Sequence, residues 1–132
     1  MNLLNGLNID ERFTRTDSAG TRYFLEDGIG STVALADASA TLQTQYTYEA
    51  FGKATSSGAA STNPCRFTGR EDDGTGVYYY RARYYNTTLQ RFISEDPLGL
   101  RGGDANLYKY VGDDPIDFTD PFGLGRPVLS GI

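Results

Sequence analysis

Between Thr21 and Gly52 the chain alternates short runs suited to extended backbone with tight turn signals. TRYFLED is followed by Gly28-Ile29-Gly30, STVALAD by Ala38-Ser39-Ala40, and then comes TLQTQYTYEAFG. No stretch carries a long 3.6-residue apolar period, while ten tyrosines and sixteen glycines are spread over the 132 residues. This pattern predicts strands and turns, an antiparallel β-meander, rather than helices. In the third run Leu42, Thr44, Tyr46 and Tyr48 share one face and Gln43, Gln45 and Thr47 the other, as in a half-buried strand.

Residues 53–64, KATSSGAASTNP, are small and polar and read as a flexible loop. A second β block follows: RFTGRED, a turn at Asp73-Gly74-Thr75-Gly76, and VYYYRARYYN as the returning strand of a hairpin. Taken as one strand, that run sets Tyr78, Tyr80, Ala82 and Tyr84 opposite Val77, Tyr79, Arg81, Arg83 and Tyr85, so both faces are expected to be covered. Its interleaved arginines read as a structural ladder. Past Phe92 the alternation fails. Residues 106–111 are ambiguous between strand and short helix, and the segment from Asp96 to Leu124 reads as turns and short pieces. Tyr46, Tyr48, Phe51, Phe67, Tyr79, Tyr84, Phe92 and Tyr108 are the expected core.

A net charge of −5 argues against a nucleic-acid partner, which needs a basic footprint. The charge is uneven: Arg66, Arg70, Arg81, Arg83 and Arg91 precede Glu95, Asp96, Asp104, Asp113, Asp114, Asp117 and Asp120, so the two groups can attract each other within the fold. The absence of histidine removes Ser-His-Asp and Cys-His catalysis and every histidine-based metal site. Cys65, the only cysteine, reads as a packing residue, and no metal or cofactor is expected. MNLLNGLNIDERF lacks the basic and apolar regions of a secretory signal, and no run approaches a membrane span, so this stretch is cytoplasmic by default.

One five-residue phrase occurs twice, as Asp96-Pro97-Leu98-Gly99-Leu100 and Asp120-Pro121-Phe122-Gly123-Leu124. It supports two readings. Proline at the second position and glycine at the fourth make it a turn in which the aspartate is structural. Alternatively, two aspartates that meet in the fold can share a proton, the minimal equipment of an acid protease.

Eight phrases in fixed order resemble the core domain associated with RHS repeats, also called YD repeats. They are the segment from Leu4 to Phe13, Asp27-Gly-Ile-Gly-Ser-Thr32, Tyr46-Thr-Tyr-Glu-Ala-Phe-Gly52, Arg66-Phe-Thr-Gly-Arg-Glu71, Gly76-Val-Tyr-Tyr-Tyr-Arg-Ala-Arg-Tyr-Tyr85, Arg91-Phe-Ile-Ser-Glu-Asp-Pro97, Asn106-Leu-Tyr108 and Asp120-Pro-Phe-Gly-Leu124. Two positions depart from the common pattern: many relatives carry a basic residue at Glu95 and glycine at Gln90.

The resemblance implies a mainly β fold, an antiparallel meandering sheet forming a piece of an RHS β-shell, with a turn-rich, partly short-helical C-terminal segment. It implies a core domain over residues 1–124 that closes a shell around a variable toxin, with residues 125–132 in the toxin's place. Aspartic self-cleavage is implied too, with Asp96 and Asp120 as the dyad and the Leu124-Gly125 bond as the one cut. Pro97, Gly99, Pro121 and Gly123 would then set the turns. The implied partners are an upstream YD-repeat shell, a toxin cargo and delivery machinery of a secreted or cell-surface bacterial protein. Unpaired sheet edges allow edge-to-edge self-association. Two other readings stand beside this one: a non-catalytic scaffold, and a secreted carbohydrate-binding β module.

Overall fold

A computed structural model describes residues 2–7, 11–99, 106–125 and 128–129. Asn8, Ile9 and Asp10 of the opening phrase, Leu100, Asp104, and residues 126, 127 and 130–132 of the tail lie outside the described residues.

Six strands follow one another in a single antiparallel sheet: β1 (Asn2–Asn5), β2 (Arg12–Asp17), β3 (Gly20–Glu26), β4 (Thr32–Ala36), β5 (Leu42–Tyr48) and β6 (Ala54–Gly58), each paired with the next. The expected meander is β3 to β5, joined by turns in which Asp27 and Asp37 each accept two backbone N–H groups through one carboxylate oxygen. A second sheet has the order β10 (Arg91–Phe92), β9 (Arg83–Asn86), β8 (Val77–Tyr80), β7 (Glu71–Asp72). The turn-rich segment beyond it contains a 3-10 turn at Val111–Asp113 and a two-residue pairing of β11 (Phe118–Thr119) with β12 (Val128–Leu129). Residues 106–110 form turns and bends with one isolated bridge, Lys109 to Arg91, and Val111 opens the 3-10 turn.

Three expectations need correction. The presumed loop 53–64 contains β6, whose register with β5 runs from Thr44↔Gly58 to Tyr48↔Ala54. An edge strand draws its stability from backbone pairing, so alanine, serine and threonine suffice where most side chains face solvent. VYYYRARYYN is two strands. The chain reverses at Arg81-Ala82, and Tyr78↔Tyr85 and Tyr80↔Arg83 become cross-strand partners on one face. The alternation therefore restarts one residue out of phase. Tyr79, Tyr84 and Tyr108, expected in the core, are exposed, while Tyr78, Tyr80, Tyr85 and Tyr110 are buried. The face bearing Tyr79 and Tyr84 is thus uncovered.

Tyr46, Phe67 and Phe92 are buried as expected, and Tyr48 and Phe51 pack against them from partly buried positions. The main core joins the family phrases: Phe67, Tyr78, Tyr80, Tyr85, Phe92, Tyr110 and Val111 form one cluster. Its rings meet mostly edge-on or tilted, Tyr80 and Tyr110 at 5.6 Å between centroids and Tyr85 and Tyr110 at 4.3 Å, while Phe67 and Tyr85 stack at 6.2 Å. Two of its buried hydroxyls find partners, Tyr80 on Thr68 Oγ1 at 2.7 Å and Tyr85 donating to the Phe51 carbonyl at 2.6 Å, whereas that of Tyr78 has none among the described residues. Cys65 is buried, and burial pushes its thiol pKa up, which suits the packing role.

Candidate active site

Both copies of the Asp-Pro phrase form the same backbone turn. The carbonyl of Asp96 accepts the Gly99 N–H at 2.9 Å, and that of Asp120 accepts the Gly123 N–H at 3.2 Å, with both glycines in the left-handed region. The side chains then diverge. Asp96 Oδ1 accepts the N–H of Leu98 within its own turn, at 2.9 Å. Asp120 reaches further forward: Oδ1 accepts the Leu124 N–H at 3.2 Å and Oδ2 the Gly125 N–H at 2.8 Å. The nitrogen of the Leu124-Gly125 bond is therefore in direct contact with the Asp120 carboxyl.

The two aspartates are buried, Asp96 at 8 % and Asp120 at 1 % exposure, and they share one cation. Arg83 Nη2 stands 3.9 Å from Asp96 Oδ2 and 3.7 Å from Asp120 Oδ2. Those distances are too long for direct hydrogen bonds, and Nη2 has no hydrogen-bond partner among the described residues. The other guanidinium nitrogens are fixed, Nε by the Gly123 carbonyl at 2.6 Å and Nη1 by the Leu107 carbonyl at 2.9 Å. The guanidinium carbon lies 3.6 Å from the centre of the Phe92 ring. The Leu107 carbonyl also accepts the Asp96 N–H, which ties the first turn to the same arginine.

Burial is the main influence on the Asp120 carboxyl and pushes its pKa up; the Gly125 and Leu124 N–H groups and Arg83 pull it back, and Asp96 pushes it up again. Burial likewise lowers the pKa of Arg83, opposed by the charges of Asp96 and Asp120. Two carboxylates with one guanidinium leave a buried excess negative charge. A single added proton would make the cluster neutral. Glu95 does not add a third buried charge, since it is exposed and meets the Tyr108 hydroxyl at 3.5 Å.

No family model matches the chain. Among curated proteins it is 38 % identical over 115 residues to double-stranded DNA deaminase toxin A of Burkholderia cenocepacia, a match covering 83 % of this chain and 8 % of that protein. It is 37 % identical over 116 residues to the toxin subunit YenC1 of Yersinia entomophaga, covering 84 % of this chain and 12 % of the relative. The chain thus spans only a small part of the length of either. The crystal structure of TcdB2-TccC3 without its hypervariable C-terminal region superposes with a TM-score of 0.74 at 32 % identity, over 79 % of this chain and 5 % of that one. The chain belongs to the RHS/YD-repeat family of polymorphic toxins. Its antiparallel meander matches the RHS shells of these toxins, so the β-shell fold that the motifs imply is the fold observed.

Within this RHS fold, Asp120 contacts Leu124 and Gly125, Asp96 is linked to Asp120 through Arg83, Pro97 and Gly99 build one turn, and Pro121 and Gly123 the other. Arg83 was read as part of a structural ladder. The segregation of arginines before carboxylates was the available signal for a charge pairing, but its inward position follows from the reversal at Arg81-Ala82.

Proposed function

We propose that this chain is the shell-closing core of an RHS toxin-delivery protein and that it cuts itself after Leu124. The division at Leu124 then separates the core, residues 1–124, from a tail in the cargo's place. The supporting observation is the contact of Asp120 Oδ2 with the Gly125 nitrogen, made inside a buried cluster with Asp96 and Arg83. Asp96 takes a proton from an attacking water as its oxygen bonds to the Leu124 carbonyl carbon. Asp120 gives its proton to the Gly125 nitrogen as the C–N bond breaks. One water is consumed, leaving a carboxylic acid on Leu124 and an amine on Gly125. Arg83 offsets the negative charge of the pair throughout. Because the chain supplies its own substrate, effective concentration is high and a single turnover is enough. The implied partners are an upstream repeat shell, a cargo held inside it and the machinery that delivers a bacterial toxin.

The carbohydrate-binding reading has one observation in its favour: an open cleft of about 240 Å³ lined by Tyr79, Tyr84, Glu71, Asp72 and Asp73. Two of its carboxylates are engaged in turns, Asp72 with the Gly74 and Gly76 N–H groups and Asp73 with Thr75. The cleft therefore offers mainly an aromatic wall, and self-cleavage is the better-supported reading.

Intact mass of the purified chain over a range of pH tests this. The expected result is loss of residues 125–132 from the parent chain and an uncut product from Asp96→Asn and from Asp120→Asn. A folded parent chain that keeps its full mass from acid to neutral pH leaves the scaffold reading in place.

A further inference from the structure

Three consecutive carbonyls of the segment to be cut are each held by one of three consecutive residues of the β8–β9 reversal. Arg81 Nη1 donates to Pro121 O at 2.5 Å, Ala82 N–H to Phe122 O at 3.2 Å and Arg83 Nε to Gly123 O at 2.6 Å. The Arg81 guanidinium also lies over the Phe122 ring, 5.1 Å from its centre. Gly123 sits so close to the hairpin that a Cβ there would stand 2.3 Å from the Tyr80 carbonyl oxygen. Only that glycine can occupy the slot without displacing the segment.

The backbone of the reversal adds an independent observation. Arg81 takes φ +57 in a two-residue connection between paired strands, a position that glycine normally fills. A long side chain there carries a backbone cost of order 1–3 kcal/mol. Its contacts with Pro121 and Phe122 give that placement a purpose.

We propose that Arg81 is a positioning residue that holds the turn of residues 120–125 in place and so selects the Leu124-Gly125 bond. The proposal rests on the self-cleavage reading for its consequence, though its geometry stands apart from the chemistry. Asp120 and the N–H groups of Leu124 and Gly125 belong to one turn, so releasing its Pro121 carbonyl lets that turn shift by about 1 Å or more. That exceeds the tolerance of a hydrogen bond, so the Leu124-Gly125 bond would be displaced relative to Asp96. Ala82 contributes only its backbone, and Arg83 also serves the carboxylates. Arg81 is the clamp whose side chain can be removed without touching the dyad.

Replacement by glycine separates fold from function, because glycine suits this backbone better than arginine. In the full chain, Arg81→Gly should keep or raise the melting temperature yet slow the loss of the tail about tenfold or more, or spread the cut over neighbouring bonds, as removal of one charge-assisted hydrogen bond implies. Arg81→Lys should restore most of the rate and the single product mass, and neither variant should shift the pH profile. A second arm needs no cleavage: in an Asp96→Asn background, Arg81→Gly should speed amide exchange at Leu124 and Gly125 by about tenfold. An unchanged rate, an unchanged cut and unchanged exchange overturn the proposal. If the parent chain is never cut, the self-cleavage reading falls, and the exchange arm alone decides for or against the clamp.

Discussion

Gly52 leaves the space that the ring of Phe67 fills: a Cβ at position 52 would stand 2.4 Å from Phe67 Cδ2. The glycine closes the phrase Tyr46 to Gly52 and the phenylalanine lies in Arg66-Phe-Thr-Gly, so two motifs separated in sequence are halves of one packing contact. Gly52 also takes φ +98, which disfavours any side chain. Gly52→Ala is therefore expected to destabilise the fold through both overpacking and backbone strain, by about 1–3 kcal/mol. Phe67→Ala should cost about 3–5 kcal/mol. Denaturant unfolding monitored by tyrosine fluorescence checks both, and values near zero would refute the core assignment.

The restarted alternation at Arg81-Ala82 makes neighbouring tyrosines unequal. Tyr80 is fully buried, bonded to Thr68 and 3.1 Å from the Tyr110 hydroxyl, whereas Tyr79 and Tyr84 pack on each other at the surface. Tyr80→Ala should lower stability by about 3–5 kcal/mol. Tyr79→Ala and Tyr84→Ala should each cost under about 1 kcal/mol. Melting curves of the three variants discriminate this arrangement from a single continuous strand, in which all three would be comparable.

The meander from β3 to β5 was legible because extended runs alternate there with the turn signals Gly28-Ile29-Gly30 and Ala38-Ser39-Ala40. The reversal after Tyr80 was not legible. Arg-Ala carries none of the Asn-Gly chemistry of a short hairpin, and the tyrosine pattern continues across it unbroken. β6 escaped notice because serine and threonine on an edge strand look like a polar loop. For the candidate site, the Asp-Pro repeat pointed to the pair of aspartates. It did not show that identical turns would use their carboxylates differently, one within its own turn and one on the Leu124-Gly125 junction. Arg83 stayed hidden for the same reason as the reversal: its burial depends on a turn without a sequence signature.

Removing the shared cation leaves two buried carboxylates without their common counter-charge. Arg83→Gln should destabilise the fold at neutral pH by about 3–5 kcal/mol, the usual result of breaking one side of a buried ion cluster. Adding Asp120→Asn should recover part of that loss, because one buried charge is then gone. A double-mutant cycle from denaturant midpoints measures the coupling. Additive effects would mean that Arg83 and Asp120 do not interact.

Asp120 also makes a pH signature. Burial raises its pKa in the folded state above the ordinary 3.8, so the folded protein binds a proton there more tightly than the unfolded chain. The resulting stabilisation is fully present below the unfolded value and is lost as pH rises through the raised folded value. Asp120→Asn stays uncharged throughout, so its stability relative to the parent should improve as pH climbs from below 3.8 through that range, then level off. Chemical unfolding of uncut protein, with Asp96→Asn as the common background, isolates this pH-dependent part from the hydrogen bonds that the amide fails to make. The same titration should shape cleavage of the parent chain: the proton that Asp120 gives to the Gly125 nitrogen is lost over the same interval, so the rate should fall on the alkaline side of the raised value. A stability difference flat from strongly acid to neutral pH, together with cleavage that persists undiminished at alkaline pH, would show that Asp120 does not hold the working proton.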